Sequence, residues 1–178
     1  NLFSIYKTCL LDAHNNNVRY VVMHLNSNSE AISDVNLGLT RIKKLLEYAK
    51  GLNVNIAFEN LPSKDQLEQI QEILDIYSNA CLCFDVGHNN IKYSEFVNNH
   101  KDKIRVMHIH DNMGVKDTHQ IPFSGTINWE EIYSIIKKID KRCVFVFEVQ
   151  KAPSEDEVQF LSKVFLAYKK MQSDLEMR

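Results

Sequence analysis

Five short apolar runs punctuate the chain, and each gives way to a stretch with the periodicity of an amphipathic helix. The runs are RYVVMHL (19–25), NVNIAFEN (53–60), CLCFDV (81–86), IRVMHIH (104–110) and CVFVFEV (143–149). Strands that are apolar throughout are buried on both faces, and parallel strands need long crossovers, usually helices. The pattern therefore predicts an α/β fold, a parallel sheet of about five strands covered by helices. Two architectures fit: an open doubly wound sheet, or a segment of a (β/α)₈ TIM barrel. No GxGxxG or P-loop follows any run, which weighs against a nucleotide-binding open sheet.

The helical stretches carry their own start and stop signals. One is expected from Ser33 to Lys50, closed by Gly51 as a C-cap. Ser63 and Gln66 read as a capping box ahead of the stripe Leu67, Ile70, Leu74 and Tyr77. A short helix is expected near Ser94–His100. Asn128 and Glu131 open a helix carrying Ile132, Ile135, Ile136 and Ile139. Ser154 and Glu157 open the last, striped by Val158, Leu161, Val164, Phe165 and Tyr168. With no linker or low-complexity segment, residues 1–178 read as one domain.

The strand ends carry the chemistry. The five runs close with His24, Glu59, Asp85, His108 and Glu148, each a metal-ligand or acid–base residue. With 23 acidic residues and seven histidines in 178, five such coincidences are not expected from composition alone. In parallel βα folds the C-terminal strand ends form the active-site face. Side chains alternate along a strand, so each terminal residue shares its face with the one two before it: Val22, Ala57, Cys83, Val106 and Val146, small enough to fill a barrel interior. Met23, Phe58, Phe84, Met107 and Phe147 are expected to face the helices. His88, His110, Asp111, Asp117 and His119 follow in the loops, and Gly87 is expected to supply a tight turn after Asp85. Carboxylates mixed with imidazoles suit Mg²⁺, Mn²⁺, Zn²⁺ or Co²⁺.

Composition narrows the alternatives. At 44% apolar and 25% charged residues, a disordered tail, a collagen-like fibre and a disulfide-dense miniprotein are excluded. Acidic and basic residues nearly balance, for a net charge of -2, which argues against a nucleic-acid partner. The four cysteines lack zinc-finger spacing and read as reduced core side chains, pointing to a cytoplasmic protein. No run approaches a membrane span. The chain opens at Asn1, not at methionine, so an N-terminally incomplete domain is expected.

VMHLN, IAFENLP, CFDVGHNNI, VMHIHDNMGVKDTH, IPFSGTINW and FEV, in that order, resemble the xylose isomerase-like TIM-barrel superfamily. That group holds sugar-phosphate isomerases and epimerases, ketose 3-epimerases and AP endonucleases of the endonuclease IV type. The resemblance implies the fourth to eighth strands of a barrel, the first three being absent. It implies Glu59, Asp85, His108 and Glu148 as the four metal ligands of the isomerase and epimerase branch. The endonuclease branch binds three zinc ions, and its further ligands would map onto His24, His88, Asp117 and His119. Departures run both ways. Ile109-His110-Asp111-Asn112 replaces the Asn-Asp-Ser-Lys-like run of the endonucleases, and only Lys116 is basic where ketose 3-epimerases place an Arg.

The expected function is a divalent-metal-dependent isomerase or epimerase of a small sugar or sugar phosphate, working through an enediolate. Glu59 and Glu148 would be acid and base, and His88 would bind the developing oxyanion. The alternatives are a zinc phosphodiesterase at abasic DNA and a non-catalytic metal-binding fragment. For His110 the reading is a structural role behind the ligands; for Trp129 and Cys83, packing; for His14 and His100, solvation. A five-strand segment leaves two open edges, so standing alone it is expected to form homo-oligomers or exchange strands.

Overall fold

The computed structural model describes residues 2–25, 35–91 and 94–177. A helix precedes the first strand, and the elements run α1 (Leu2–Asn15), β1 (Tyr20–Met23), α2 (Val35–Gly51), β2 (Asn55–Glu59) and α3 (Lys64–Ile76). Then follow β3 (Ala80–Asp85), α4 (Val86–Ile91), α5 (Ser94–Asn99), a 3₁₀ turn (Lys101–Lys103), β4 (Ile104–Ile109), α6 (Trp129–Ile136), β5 (Val144–Phe147) and α7 (Glu157–Glu176). The strands pair only in parallel and in chain order, β1-β2-β3-β4-β5. Together they make a curled half-barrel, a partial TIM barrel with helices along its outside. No described helix is long and apolar enough to cross a membrane.

The two faces of the sheet divide as the alternation requires. Met23, Phe58, Phe84 and Met107 are buried in the large core beneath the helices, with Phe147 packed against it. Ala57, Cys83 and Val106 form a thin inner layer with Tyr20, Val22 and Cys81. Phe58 and Phe84 are fully buried. At about 1.5–3 kcal/mol for each such side chain withdrawn from water, the outer face is what holds the helices on.

The helix ends differ from the capping signals in the sequence. Gly51 stays helical; the left-handed residue is Asn53, at φ 57°. Asn17 does the same after α1, at φ 56°. In both joints the next valine N–H closes a 6→1 bond, Val18 to Ala13 O at 2.8 Å and Val54 to Ala49 O at 3.0 Å. These are two Schellman motifs with Asn in the glycine position. Ser63 makes no side-chain cap, and Gln66 instead buries its amide, donating to Leu25 O at 2.7 Å. Asn128 occupies the N-cap position of α6 without a side-chain bond. The last helix is capped by Asp156, not Ser154, through Gln159 N–H at 3.0 Å. The expected helix start at Ser33 lies outside the described residues.

Two faces stay open. Val144, Phe145 and Val146 of β5 are each more than two-fifths exposed, and on α7 so are Val158, Leu161, Phe165 and Tyr168. The apolar stripe of α7 thus lies largely at the surface, and the helix is anchored by Ala167 and Met171.

Candidate metal centre

Sheet register sets where the strand ends meet. Glu59 lies beside Cys83, and Asp85 beside His108. His108 lies beside Val146, and Glu148, the residue just past β5, donates its N–H to Ile109 O at 3.2 Å. The carboxylates thus come from different pairing rows. Tilted barrel strands bring stepped rows to a common height, and the side chains do converge. His108 Nδ1 is 3.2 Å from Glu59 Oε2, 2.9 Å from Glu148 Oε2 and 3.6 Å from Asp85 Oδ2. Glu59 also receives His24 Nε2 at 2.8 Å and faces His88 Nδ1 at 3.2 Å. Glu59 and Asp85 are buried, whereas Glu148 is 45% exposed at the rim.

Asp85 has a second duty that the sequence pattern concealed. Residues 86–91 form α4 directly after β3, and Asp85 Oδ1 accepts the His88 N–H at 2.7 Å, capping that helix. Gly87 lies inside α4 rather than in a turn. A Cβ there would collide with the Cε1 edge of the His110 ring. That ring is fully buried and donates its Nε2 hydrogen between the two Asp85 oxygens, at 3.1 and 3.0 Å. Gly87→Ala is therefore expected to destabilise by about 1–3 kcal/mol through overpacking, although alanine ordinarily gains about 0.5–1 kcal/mol inside a helix. A thermal melt reads the sign, and a variant as stable as the parent would disprove the fixed ring position.

A second group adjoins the first through His88. Its Nε2 is 3.1 Å from Asp117 Oδ2, and His119 Nε2 is 2.8 Å from the same oxygen. His119, in the left-handed region at φ 46°, stacks on His110 with ring centroids 4.3 Å apart. It also donates through Nδ1 to Glu148 O at 2.7 Å, tying the long loop to β5.

The electrostatics are those of carboxylates embedded among imidazoles. Burial pushes the Glu59 carboxyl up, but His108, His24 and His88 outweigh it and hold the group well below the usual range. Asp85 is depressed the same way, burial being overcome by His108 and His110. His88 rises to about 9, because Glu59, Asp85 and Asp117 overcome the penalty of burial. His108 and His110 are raised as well, against their burial.

The donor set fits a cation. Asp85, His108 and Glu148 each offer one donor atom with all three within 4.8 Å of one another, and so do Glu59, Asp85 and His88. His88 Nδ1, His108 Nδ1, His110 Nδ1 and Asp117 Oδ1 are buried without a hydrogen-bond partner. Buried polar atoms are normally satisfied; here the Nδ1 atoms of His88 and His108 lie against the Glu59 and Asp85 carboxylates, and His110 Nδ1 faces Asp117 Oδ1 at 3.5 Å.

All eight sequence-predicted residues, namely Glu59, Asp85, His108, Glu148, His24, His88, Asp117 and His119, lie in this one connected cluster. Two polar residues that build it, Asn60 and Asn112, had no sequence assignment, and Asp111, grouped in the sequence with the loop donors, is spent on backbone and Trp129 donors instead. The Asn60 side chain extends the sheet, accepting Asp85 N–H at 2.7 Å and donating to Asp85 O at 3.0 Å. Asp111, fully buried, accepts from Asn112, Phe123 and Ile127 N–H and from Trp129 Nε1. Asn112 donates to Gly87 O at 2.9 Å and accepts from Gly114 N–H and Asn90. The visible signal was the framing of 111–128 by Gly114 and Gly125; a Cβ on Gly125 would strike Asp111 Oδ1 and Asn112 O. Trp129 packs on Phe123, ring centroids 4.7 Å apart. His100 is buried rather than solvated, its Nδ1 donating to Phe96 O at 2.8 Å.

Known proteins share this arrangement of strands. A solved D-tagatose 3-epimerase-like protein superposes with a TM-score of 0.80 at 22% identity, over 96% of this chain and 68% of its own. A D-psicose 3-epimerase from Clostridium cellulolyticum, solved with D-tagatose, gives 0.76 at 13% identity, over 97% and 70%. In sequence, the uncharacterized protein y4fM of Sinorhizobium fredii is 33% identical over 105 residues, 54% of this chain. The match spans only a third of that relative's length, 33%. The family model described as xylose isomerase-like TIM barrel matches residues 4–164. The chain therefore belongs to the xylose isomerase-like TIM-barrel family.

Proposed function

We propose that this chain carries the catalytic face of a divalent-metal-dependent isomerase or epimerase acting on a small sugar or sugar phosphate. The observation that supports it most is the approach of Glu59 and Glu148, from β2 and the end of β5, to the same His108 nitrogen at 3.2 and 2.9 Å. The sugar epimerases among the structural neighbours favour the same reading. Glu59, Asp85, His108 and Glu148 would hold the ion, whether Mn²⁺, Zn²⁺, Mg²⁺ or Co²⁺. A divalent ion held there would polarise the substrate's carbonyl and neighbouring hydroxyl as a Lewis acid.

The chain's own groups then move the proton. One of Glu59 and Glu148 takes it from the carbon next to the carbonyl, leaving an enediolate, and the other returns a proton. Asp85, fixed by His110 and Asn60, keeps the cluster in place. His88 faces Glu59 and Asp117 in the resting arrangement, and donates to the developing oxyanion once substrate displaces one of them. The setting we assign is cytoplasmic, with four free cysteines.

The test is to load the purified chain with each cation and incubate it with a panel of ketoses and ketose phosphates in D₂O. Metal-dependent deuterium incorporation at the carbon beside the carbonyl is expected. No exchange with any sugar under any cation would overturn the reading. The group formed by His88, Asp117 and His119 favours one alternative, a trinuclear zinc phosphodiesterase. Three tightly bound zinc ions and cleavage at abasic DNA would establish it instead.

A further inference from the structure

Cys83 stands two residues before Asp85 on the inner face, in the same pairing row as Glu59. The sulfur, a Glu59 carboxylate oxygen and a His108 ring nitrogen lie within 4.8 Å of one another. The three residues are buried, at 0%, 2% and 8% exposure respectively. His108 Nδ1 is buried without a well-formed hydrogen bond, held between Glu59 Oε2 at 3.2 Å and Glu148 Oε2 at 2.9 Å. The buried inner layer around Cys83 consists of the small side chains Ala57 and Val106, with Tyr20, Val22 and Cys81 packed against it.

Two overlapping donor sets result, sharing His108. Toward the rim, Asp85, His108 and Glu148 offer two hard oxygens and one nitrogen. Beneath them, Glu59, Cys83 and His108 offer one oxygen, one sulfur and one nitrogen. We propose that Cys83 is a metal ligand, forming with Glu59 and His108 an inner subsite that selects thiophilic cations, while Mg²⁺ and Mn²⁺ are held by the rim set. The proposal rests on the metal-centre reading above and deepens it. On coordination the thiol releases its proton to solvent and the thiolate binds the ion. Bond lengths of about 2.0–2.3 Å to nitrogen, oxygen and sulfur are reached by rotamer-scale movement of the three side chains. Soft thiolate favours Zn²⁺, Co²⁺ and Cd²⁺ over the hard ions.

The experiment titrates the metal-free chain with Co²⁺, Cd²⁺ and Mn²⁺, in the parent, in Cys83→Ser, and in a triple variant with Cys9, Cys81 and Cys143 changed to Ala. Circular dichroism confirms folding of each. The expected result is a sulfur-to-metal charge-transfer absorption with Co²⁺ and Cd²⁺ in the parent and the triple variant, and its loss in Cys83→Ser. Cd²⁺ affinity is expected to fall by about tenfold or more in Cys83→Ser, with Mn²⁺ affinity changed less than about threefold. Visible Co²⁺ bands without a Cys83-dependent charge-transfer band would overturn this proposal and leave the metal centre standing. Loss of the band in a folded triple variant would overturn it too. Failure of the parent to bind any of the three ions would overturn the underlying reading as well.

Discussion

Asp111→Ala is expected to lower the melting temperature by roughly 10 °C. The carboxylate is fully buried and accepts four hydrogen bonds, three from backbone N–H groups at Asn112, Phe123 and Ile127 and one from Trp129. Alanine leaves those donors without an acceptor, at about 1–3 kcal/mol for each one that stays buried. Partial hydration of the loop offsets some of this, for a net loss of about 3–5 kcal/mol. A domain of this size loses about 2–4 °C per kcal/mol. Hydrogen exchange at the Phe123 and Ile127 amides should accelerate in parallel. Asp111→Asn should also destabilise, because its NH₂ would face N–H donors. A melt within 2 °C of the parent for Asp111→Ala would refute the role given to this residue. The effect reaches the candidate site because the same loop carries Asp117 and His119.

Glu148→Gln carries the largest expected functional effect. An amide cannot exchange the proton that the proposed reaction needs, so turnover should fall by about 10²–10⁴-fold, the usual worth of a general acid or base. Glu148 is the most exposed of the four strand-end donors, and the amide oxygen can still ligate. Metal affinity should therefore drop only modestly while Glu59, Asp85 and His108 remain. The measurement pairs turnover on the substrate found by deuterium exchange with a metal titration of the same preparation. Retained turnover would exclude Glu148 as the proton carrier. A large loss of metal together with activity would instead make it chiefly a ligand.

How much could be read from the sequence depends on the kind of interaction. Strand phase was legible because a period of two leaves only two choices, and a terminal acidic or imidazole residue marks which face looks inward. That one inference placed Ala57, Cys83 and Val106 on the inside and Phe58, Phe84 and Met107 on the outside. The convergence of His24, Glu59, Asp85, His108 and Glu148 followed from it. Side chains that bond to backbone were not legible. Asn60, Gln66 and Asp111 resemble ordinary strand-end, helix-start and turn residues, and only the geometry of the neighbouring segments gives their amides and carboxylate a buried partner. Helix caps failed for a related reason: Ser63 and Asn128 have the right chemistry, but tertiary packing sets whether an N–H is within reach. The α7 stripe has the right period, yet a period does not say whether another element is there to meet it.

The order of strands also bears on how the molecule assembles. Each strand pairs with its chain neighbour, so the sheet can grow one βα unit at a time with contacts of modest sequence separation, the kind that favours rapid folding. The proposed donor set is gathered differently, because it draws on β2, β3, β4 and the residue that follows β5. With β1 to β4 paired, Glu59, Asp85 and His108 already stand together, and Glu148 joins them when β5 pairs with β4. Under the proposed function, a cation bound by all four would tie the β4–β5 seam to strands that β5 does not itself touch.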